Sequence, residues 1–176
     1  MHALVVYESM YGNTHAIAQA IAEGLRPAGD VRVVPVRDAG VELVAWADFV
    51  IVGGPTHAHG MTRSNSRRSA REAATKPDSP LTLEPEADGP GVRDWLDALG
   101  SGRDTRAAAF DTRVKGPPLI TGRASSGIAK GLRGHGFRLV ADAESYLVDT
   151  HNQLIPGEQE RARRWGASLA ELVTAG

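Results

Sequence analysis

A chain of 176 residues, 41% hydrophobic, is long enough for one domain with a buried core, and the absence of cysteine excludes disulfides, thiolate metal sites, iron–sulfur clusters and a cysteine nucleophile. The formal net charge is -1, so no global field favours nucleic acid or an anionic membrane surface. The start, 1-MHALVVYES-9, lacks the basic and long apolar regions of a signal peptide, and no apolar run approaches the roughly 18 residues of a membrane span, which fits a cytoplasmic protein.

The run 3-ALVVY-7 is continuously apolar, the pattern of a central parallel strand covered on both faces. In 15-HAIAQAIAEGL-25, Ile17, Ile21 and Leu25 recur every fourth residue beside Ala18 and Ala22, which predicts a helix with one apolar stripe. The breakers in 26-RPAGD-30 end it. A second strand is predicted at 31-VRVVPV-36, at a sheet edge because Pro35 cannot donate to a ladder. A short helix over 40–47 and a solid apolar strand, 48-DFVIVGG-54, complete a β-α-β-α-β series, which means parallel strands with right-handed crossovers.

Residues 56–91 are polar and rich in Arg, Ser and Pro; 65-NSRRSAREAAT-75 fits a helix, and 76–91 reads as an exposed loop. A helix over 92–99 points Val92, Trp95, Leu96 and Leu99 inward, and 106-RAAAFDT-112 is a fourth strand. A helix from about Ser125 to Gly134 leads to a fifth strand, 137-FRLVA-141, which resumes at 145-SYLV-148. The last helix, Glu158 to Val173, buries Ala162, Trp165, Leu169 and Leu172. Trp46, Trp95 and Trp165 all lie on predicted helix faces and read as core. With no internal repeat, residues 1–176 read as a single α/β domain carrying a polar insertion at about 62–91.

In an open parallel sheet, ligands bind beyond the carboxyl ends of the strands. Three loops leave those ends: 8-ESMYGNT-14, 54-GPTHAHGMT-62 and 111-DTRVKGPPL-119. The first crowds Ser9, Gly12, Asn13 and Thr14 at a helix start, where free N–H groups and a partial charge of about +0.5 attract an anion. Gly12 lets the backbone curl closely around it. The result is an anion nest without a lysine, suited to a terminal phosphate monoester; an ordinary helix cap is the simpler alternative. Neither G-x-x-x-x-G-K-[ST] nor G-x-G-x-x-G is present, which argues against a nucleoside triphosphate or a pyrophosphate.

Strand, then Ser9-Met10-Tyr11-Gly12-Asn13-Thr14, then helix resembles the phosphate loop of the flavodoxin family, approximately [TS]-x-T-G-x-T. Ser9, Gly12 and Thr14 match, and Tyr11 stands where the middle Thr is usual. SMYG is also similar to the loop of the quinone reductases in the flavodoxin superfamily. The stretch 53-GGPTHAHG-60 follows the third strand, where flavodoxins place a ring-holding loop that often begins G-[ST]-P-[TV]. The resemblance covers most of the chain. It implies a three-layer, doubly wound α/β fold with five parallel strands in the order 2-1-3-4-5, and noncovalent FMN.

By that resemblance the loop of Ser9, Met10, Tyr11, Gly12, Asn13 and Thr14 holds the phosphate. Pro55, Thr56, His57, Ala58, His59 and Gly60 border the ring system, and Phe110, Asp111, Thr112 and Arg113 form a third contact. The flavin carries the electrons and the protein tunes it by hydrogen bonds, stacking and charge. No Trp or Tyr lies near Gly60, so His57, His59 or Met61 is expected against the ring, and Gly60 is expected to let the local peptide rotate. The implied function is an FMN-binding electron carrier serving a redox partner protein or a small-molecule acceptor. Two alternatives stay open: an FMN-dependent NAD(P)H:quinone-type oxidoreductase, and a flavin-free binding module of the same fold.

Other signals are weaker. His57 and His59 are spaced to share a metal on extended chain, but no third ligand is near, so a ring-edge or structural role is preferred. His2, His15, His135 and His151 read as surface or cap residues. Arg63, Arg67 and Arg71 share one helical face, expected to be solvated and paired with Glu72 or Asp78; steering of an anionic partner or a nicotinamide phosphate is the alternative. Ser125-Ser126-Gly127 lacks G-x-S-x-G and reads as helix capping.

Overall fold

The computed structural model describes residues 1–57, 59–100 and 104–175. The chain runs β1 (His2–Tyr7), α1 (Asn13–Leu25), β2 (Asp30–Pro35), α2 (Val41–Trp46), β3 (Phe49–His57) and β4 (Gly60–Met61). It continues through α3 (Ser64–Ala74), α4 (Val92–Ala98), β5 (Arg106–Val114), α5 (Pro118–Thr121), α6 (Ala124–Gly134), β6 (Arg138–Leu139), β7 (Glu144–Val148) and α7 (Glu158–Thr174).

The sheet order is β2-β1-β3-β5-β6, with parallel pairing throughout this path. This is the expected 2-1-3-4-5 order, with β5 as the fourth main strand. Its fifth position is split: β6 pairs with Arg106 and Ala107, and β7 pairs further along with Phe110 to Val114. Pro35 does lie on an edge strand, since β2 pairs only with β1. Among the described residues two features break the parallel pattern: β3 runs on to His57 and turns back antiparallel into β4, and Val148 bridges antiparallel to Leu154.

The apolar strands are continuous because alternate residues feed two cores. Ala3, Val5, Tyr7, Phe49, Ile51, Ala108 and Phe110 face α1 and α7. Leu4, Val6, Val50, Val52, Ala107 and Ala109 face the layer of α2, α4 and α6. Each fully buried Val, Leu or Ile contributes about 1.5–3 kcal/mol, so the three central strands fix the register strongly.

On α7, Ala162 and Leu169 are buried, Trp165 packs half-buried against the same core, and Leu172 is 53% exposed while Val173 is buried in its place. The buried stripe runs through Gly166. A Cβ there would sit 2.2 Å from the Ile21 carbonyl oxygen, and a Cβ on Gly24 would sit 2.1 Å from the Arg163 oxygen. The two glycines bring α1 and α7 into backbone contact, and that contact sets the rotation of α7. Trp95 is buried and donates from Nε1 to the Ala39 carbonyl at 2.8 Å, while Trp46 is half-buried beneath the Arg32 guanidinium.

The insertion is not the slack loop its composition suggests. Ala70 and Ala87 bury Met10, with Leu83 and Tyr11 packed against them. The Glu84 N–H donates to the Met10 carbonyl at 2.9 Å. The basic face of α3 is also not simply solvated. Arg67 is buried and pairs with Asp94, and Arg71 pairs with Asp88, so neither uses Glu72 or Asp78.

Candidate functional site

At the carboxyl ends of β1, β3, β5 and β7 lies a cavity of about 400 Å³. The first loop contributes Ser9, Met10, Tyr11, Asn13 and Thr14; β3 contributes Pro55, Thr56 and His57; β5 contributes Thr112 and Arg113. Ten of the residues expected from sequence therefore converge on one space.

Gly12 precedes α1 in the left-handed region, φ 93° and ψ -16°, and α1 starts without a side-chain cap. The capping alternative is thus not the use made of this loop. Ser9 Oγ accepts from the Gly12 N–H at 3.0 Å, which closes the turn and leaves its own O–H to donate elsewhere. The remaining side chains tie the loop to its surroundings. Thr14 Oγ1 lies 2.8 Å from Thr112 Oγ1, joining the first and third loops. Asn13 Nδ2 donates to Asn152, to its carbonyl oxygen at 2.9 Å and to its Oδ1 at 3.1 Å. Tyr11 Oη donates to the Ala70 carbonyl at 2.7 Å, and burial pushes this phenol above its ordinary pKa. Tyr11 and Asn13 therefore spend their side-chain polar groups on the scaffold.

The third loop divides. Thr112 and Arg113 reach the cavity; Phe110 and Asp111 do not. Phe110 is fully buried core, with its ring beneath Gly53, where a Cβ would lie 2.1 Å from Phe110 Cζ. Asp111 is fully buried and accepts from the Ser125 N–H at 2.7 Å and from Thr56 Oγ1 at 3.1 Å. It is Asp111, not the serine pair, that caps the start of α6, and Thr56 Oγ1 accepts the neighbouring Ala124 N–H at 2.8 Å.

In the second loop, only His57 of the three expected ring contacts lines the main cavity. Ala58 lies outside the described residues. His59 and Gly60 line an adjoining cavity, and Met61 packs toward Gly127 on α6. Among the described residues of the turn, Gly60 is not left-handed and His59 is, φ 74°. Its backbone bridges to Gly122, which has φ 75° and no room for a side chain.

Sequence reasoning missed two walls. Val148 ends β7, and Thr150, His151 and Asn152 follow it. The sequence reading carries the fifth strand to 148, and the strand-end rule that picks the other three loops picks this one too once it is applied there. Pro80 and Leu81 come from the insertion, and no local pattern marks them.

Beside the first loop, Glu8 is buried at the end of β1. Its Oε1 accepts from Thr62 Oγ1 and its Oε2 accepts from the Val92 N–H at 2.8 Å. Arg67 donates to Thr62 Oγ1 at 3.2 Å and to Asp94 Oδ2 at 2.6 Å. Burial pushes the Glu8 carboxyl above the ordinary carboxylate range, against the opposing hydrogen bonds and the Arg67 charge. Asp94 is held low by the Gly91 N–H and by Arg67. This network locks the insertion to the strand that carries the first loop.

The family model described as flavodoxin matches residues 5–111, well over half of the chain. The chain belongs to the flavodoxin family. The matched stretch includes both the loop around Gly12 and the β3–β4 hairpin. A curated relative, a flavodoxin of Aquifex aeolicus (strain VF5), is 43% identical over 56 residues, 31% of this chain and 30% of that protein. The alignment thus spans under a third of that flavodoxin's length. Among solved structures, a flavodoxin from the domain Archaea matches with a TM-score of 0.66 at 21% identity, covering 99% of each chain. Oxidised Flavodoxin 1 from Bacillus cereus matches at 0.64 and 18%, covering 97% of this chain and 98% of that one. At these identities the structural matches establish a flavodoxin fold. Among the described residues, no helix of this flavodoxin is long and apolar enough to cross a membrane.

Proposed function

We propose that this flavodoxin holds FMN in the cavity beyond β1, β3, β5 and β7 and passes electrons between a reductant and a partner protein or small-molecule acceptor. One observation carries the reading: α1 begins uncapped on a left-handed Gly12 and opens on a cavity of about 400 Å³.

The donor set fits a phosphate monoester. The first-turn amides of α1 point their partial positive charge there, Ser9 keeps an O–H to donate, and the Thr14–Thr112 pair leaves one more. No lysine is needed. Met10, Leu81, Val114 and Val148 supply apolar wall, with His57 at one side, in the mixture usual for a flat cofactor. Bound FMN supplies one- and two-electron chemistry, and the chain supplies position and surroundings. The Asn13–Asn152 and Thr14–Thr112 bonds hold the rim, and Pro80 and Leu81 shield one side from water.

The test is the absorption spectrum of the purified protein, followed by titration of the flavin-free protein with FMN. Flavin bands that are released on denaturation support the reading. In Gly12→Ala, holding a Cβ at φ 93° costs about 1–2 kcal/mol. That strain is relieved only if the loop leaves the geometry that presents its amides, so FMN affinity is expected to fall by up to about tenfold, alongside a loss of stability. A colourless protein that takes up no FMN overturns the proposal.

A further inference from the structure

The β3–β4 hairpin separates the main cavity from a second one of about 460 Å³, and His57 lines both. Its polar lining is Arg63, Arg93, His57, His59, Asn65 and Ser66; it contains no Asp or Glu. On the same insertion, Arg67 and Arg71 each have a carboxylate partner. Arg63 and Arg93 have none among the described residues. The Arg93 Nε is buried and has no hydrogen-bond acceptor. Asp94, a carboxylate within the field of Arg93, is already held by Arg67 and the Gly91 N–H.

Two guanidinium groups in one concavity, neither paired with a carboxylate among the described residues, leave a site short of negative charge. A planar fork of donors matches the geometry of an oxyanion. Asn65 and Ser66 lie in the first turn of α3, whose positive end adds to the same field. We propose that this cavity is a subsite for the phosphate or carboxylate group of a small redox reactant, which it holds beside His57 at the edge of the main cavity. The redox part of this assignment rests on the FMN reading above; the anion site itself does not, because none of its residues belongs to the first loop.

The test is a titration of FMN-saturated protein with inorganic phosphate and, separately, with succinate, following the histidine ring signals by NMR. FMN fills the nest at α1, so the bare ions report on the second cavity. Saturable shifts of the His57 and His59 signals are expected. The double variant Arg63→Ala/Arg93→Ala should bind at least tenfold more weakly, whereas Arg133→Ala, exposed on α6, should match the wild type. The tighter of the two ions identifies the anionic group. Shifts that never saturate, or that persist unchanged in the double variant, overturn the site.

A second arm tests the redox assignment. The FMN-reduced protein should reduce a carboxylated naphthoquinone several-fold faster than the uncharged parent, and the double variant should lose that preference. Equal rates for the two quinones in the wild type overturn the redox role and leave only an anion site. If the protein takes up no FMN, the same NMR titration on the protein as purified should still show the component that depends on Arg63 and Arg93. Failure of the flavin reading is thereby separated from failure of the subsite.

Discussion

Gly122 is the position where one added carbon tests the architecture most directly. Its backbone lies at φ 75° and ψ 179°, a region open essentially to glycine, which costs any other residue about 1–3 kcal/mol. A Cβ would stand 2.2 Å from both Cα and O of His59 and 2.3 Å from its carbonyl carbon. These are backbone atoms, so no rotamer change relieves the overlap; either the hairpin or the 115–123 loop must retreat by about 1 Å, a change of the kind that costs 1–3 kcal/mol in packed surroundings. Gly122→Ala should therefore lose about 2–4 kcal/mol, and at about 2–4 °C per kcal/mol for a chain of this size the melting temperature should drop by about 5–15 °C. Circular dichroism melts measure this. The paired control is Gly60→Ala, where a Cβ meets nothing within 4 Å. That variant should stay within about 0.5 kcal/mol of wild type. A Gly122→Ala protein that melts within 2 °C of wild type, a bound set from the same scaling, would refute the reasoning.

Three further outcomes are expected. Gly24→Ala gains about 1 kcal/mol of helix propensity. It nevertheless drives a Cβ to 2.1 Å from the Arg163 oxygen, so urea melts should show a net loss; a stabilised variant would mean that α1 and α7 are not in backbone contact. Arg67→Met keeps apolar volume but strips Thr62 and Asp94 of their donor; because Asp94 is half-exposed and can rehydrate, the expected loss is about 1–3 kcal/mol, read by chemical denaturation. Glu8 titrates with a raised folded pKa, so its contribution is full below the unfolded pKa and is lost as pH rises through the folded value. The stability difference between wild type and Glu8→Gln should therefore shift in favour of the variant between acid and neutral pH, and a difference independent of pH would count against a buried, burial-shifted carboxyl.

How much of this was legible depended on whether the signal was local. The strands could be read because unbroken runs such as 49–54 carry residues for two cores at once; parallel pairing followed from the β/α alternation, and the strand order from the resemblance to the flavodoxin family. The turn of α7 could not, because Leu172 and Val173 are equally apolar and only the Gly24–Gly166 approach, a pairing across 142 positions, decides which faces in. Around the cavity, Ser9, Met10, Tyr11, Asn13 and Thr14 could be placed from the chain since a helix start and a glycine are contiguous in it. Phe110 and Asp111 looked like part of the rim because they neighbour Thr112, yet strand alternation and the need to cap α6 turn them into the core. The network of Glu8, Thr62, Arg67 and Asp94 spans four segments, and no window of sequence contains two of its charges as obvious partners.

Tyr11 and the insertion are best understood together. The resemblance left one unexplained departure, a tyrosine where a threonine hydroxyl is usual beside the phosphate. The structure gives that hydroxyl another task, donating to the Ala70 carbonyl on α3, while Met10 next to it is buried by Ala70 and Ala87. A loop clamped in this way by residues some 60 to 77 positions later needs less ordering when an anion arrives, and pre-organised donors bind more tightly than mobile ones. Glu84 closes the clamp through the Met10 carbonyl, and the Glu8–Thr62–Arg67 network fixes the far side of the same insertion to β1. Position 11 and the 62–91 segment are therefore coupled: the Tyr11 side chain anchors the segment that in turn packs on Met10 and holds the first loop in shape. On the proposed FMN reading, Tyr11→Thr, which restores the family pattern, should raise the Kd for FMN in a flavin titration, because the hydroxyl that ties the first loop to Ala70 is lost; an unchanged Kd would count against the clamp.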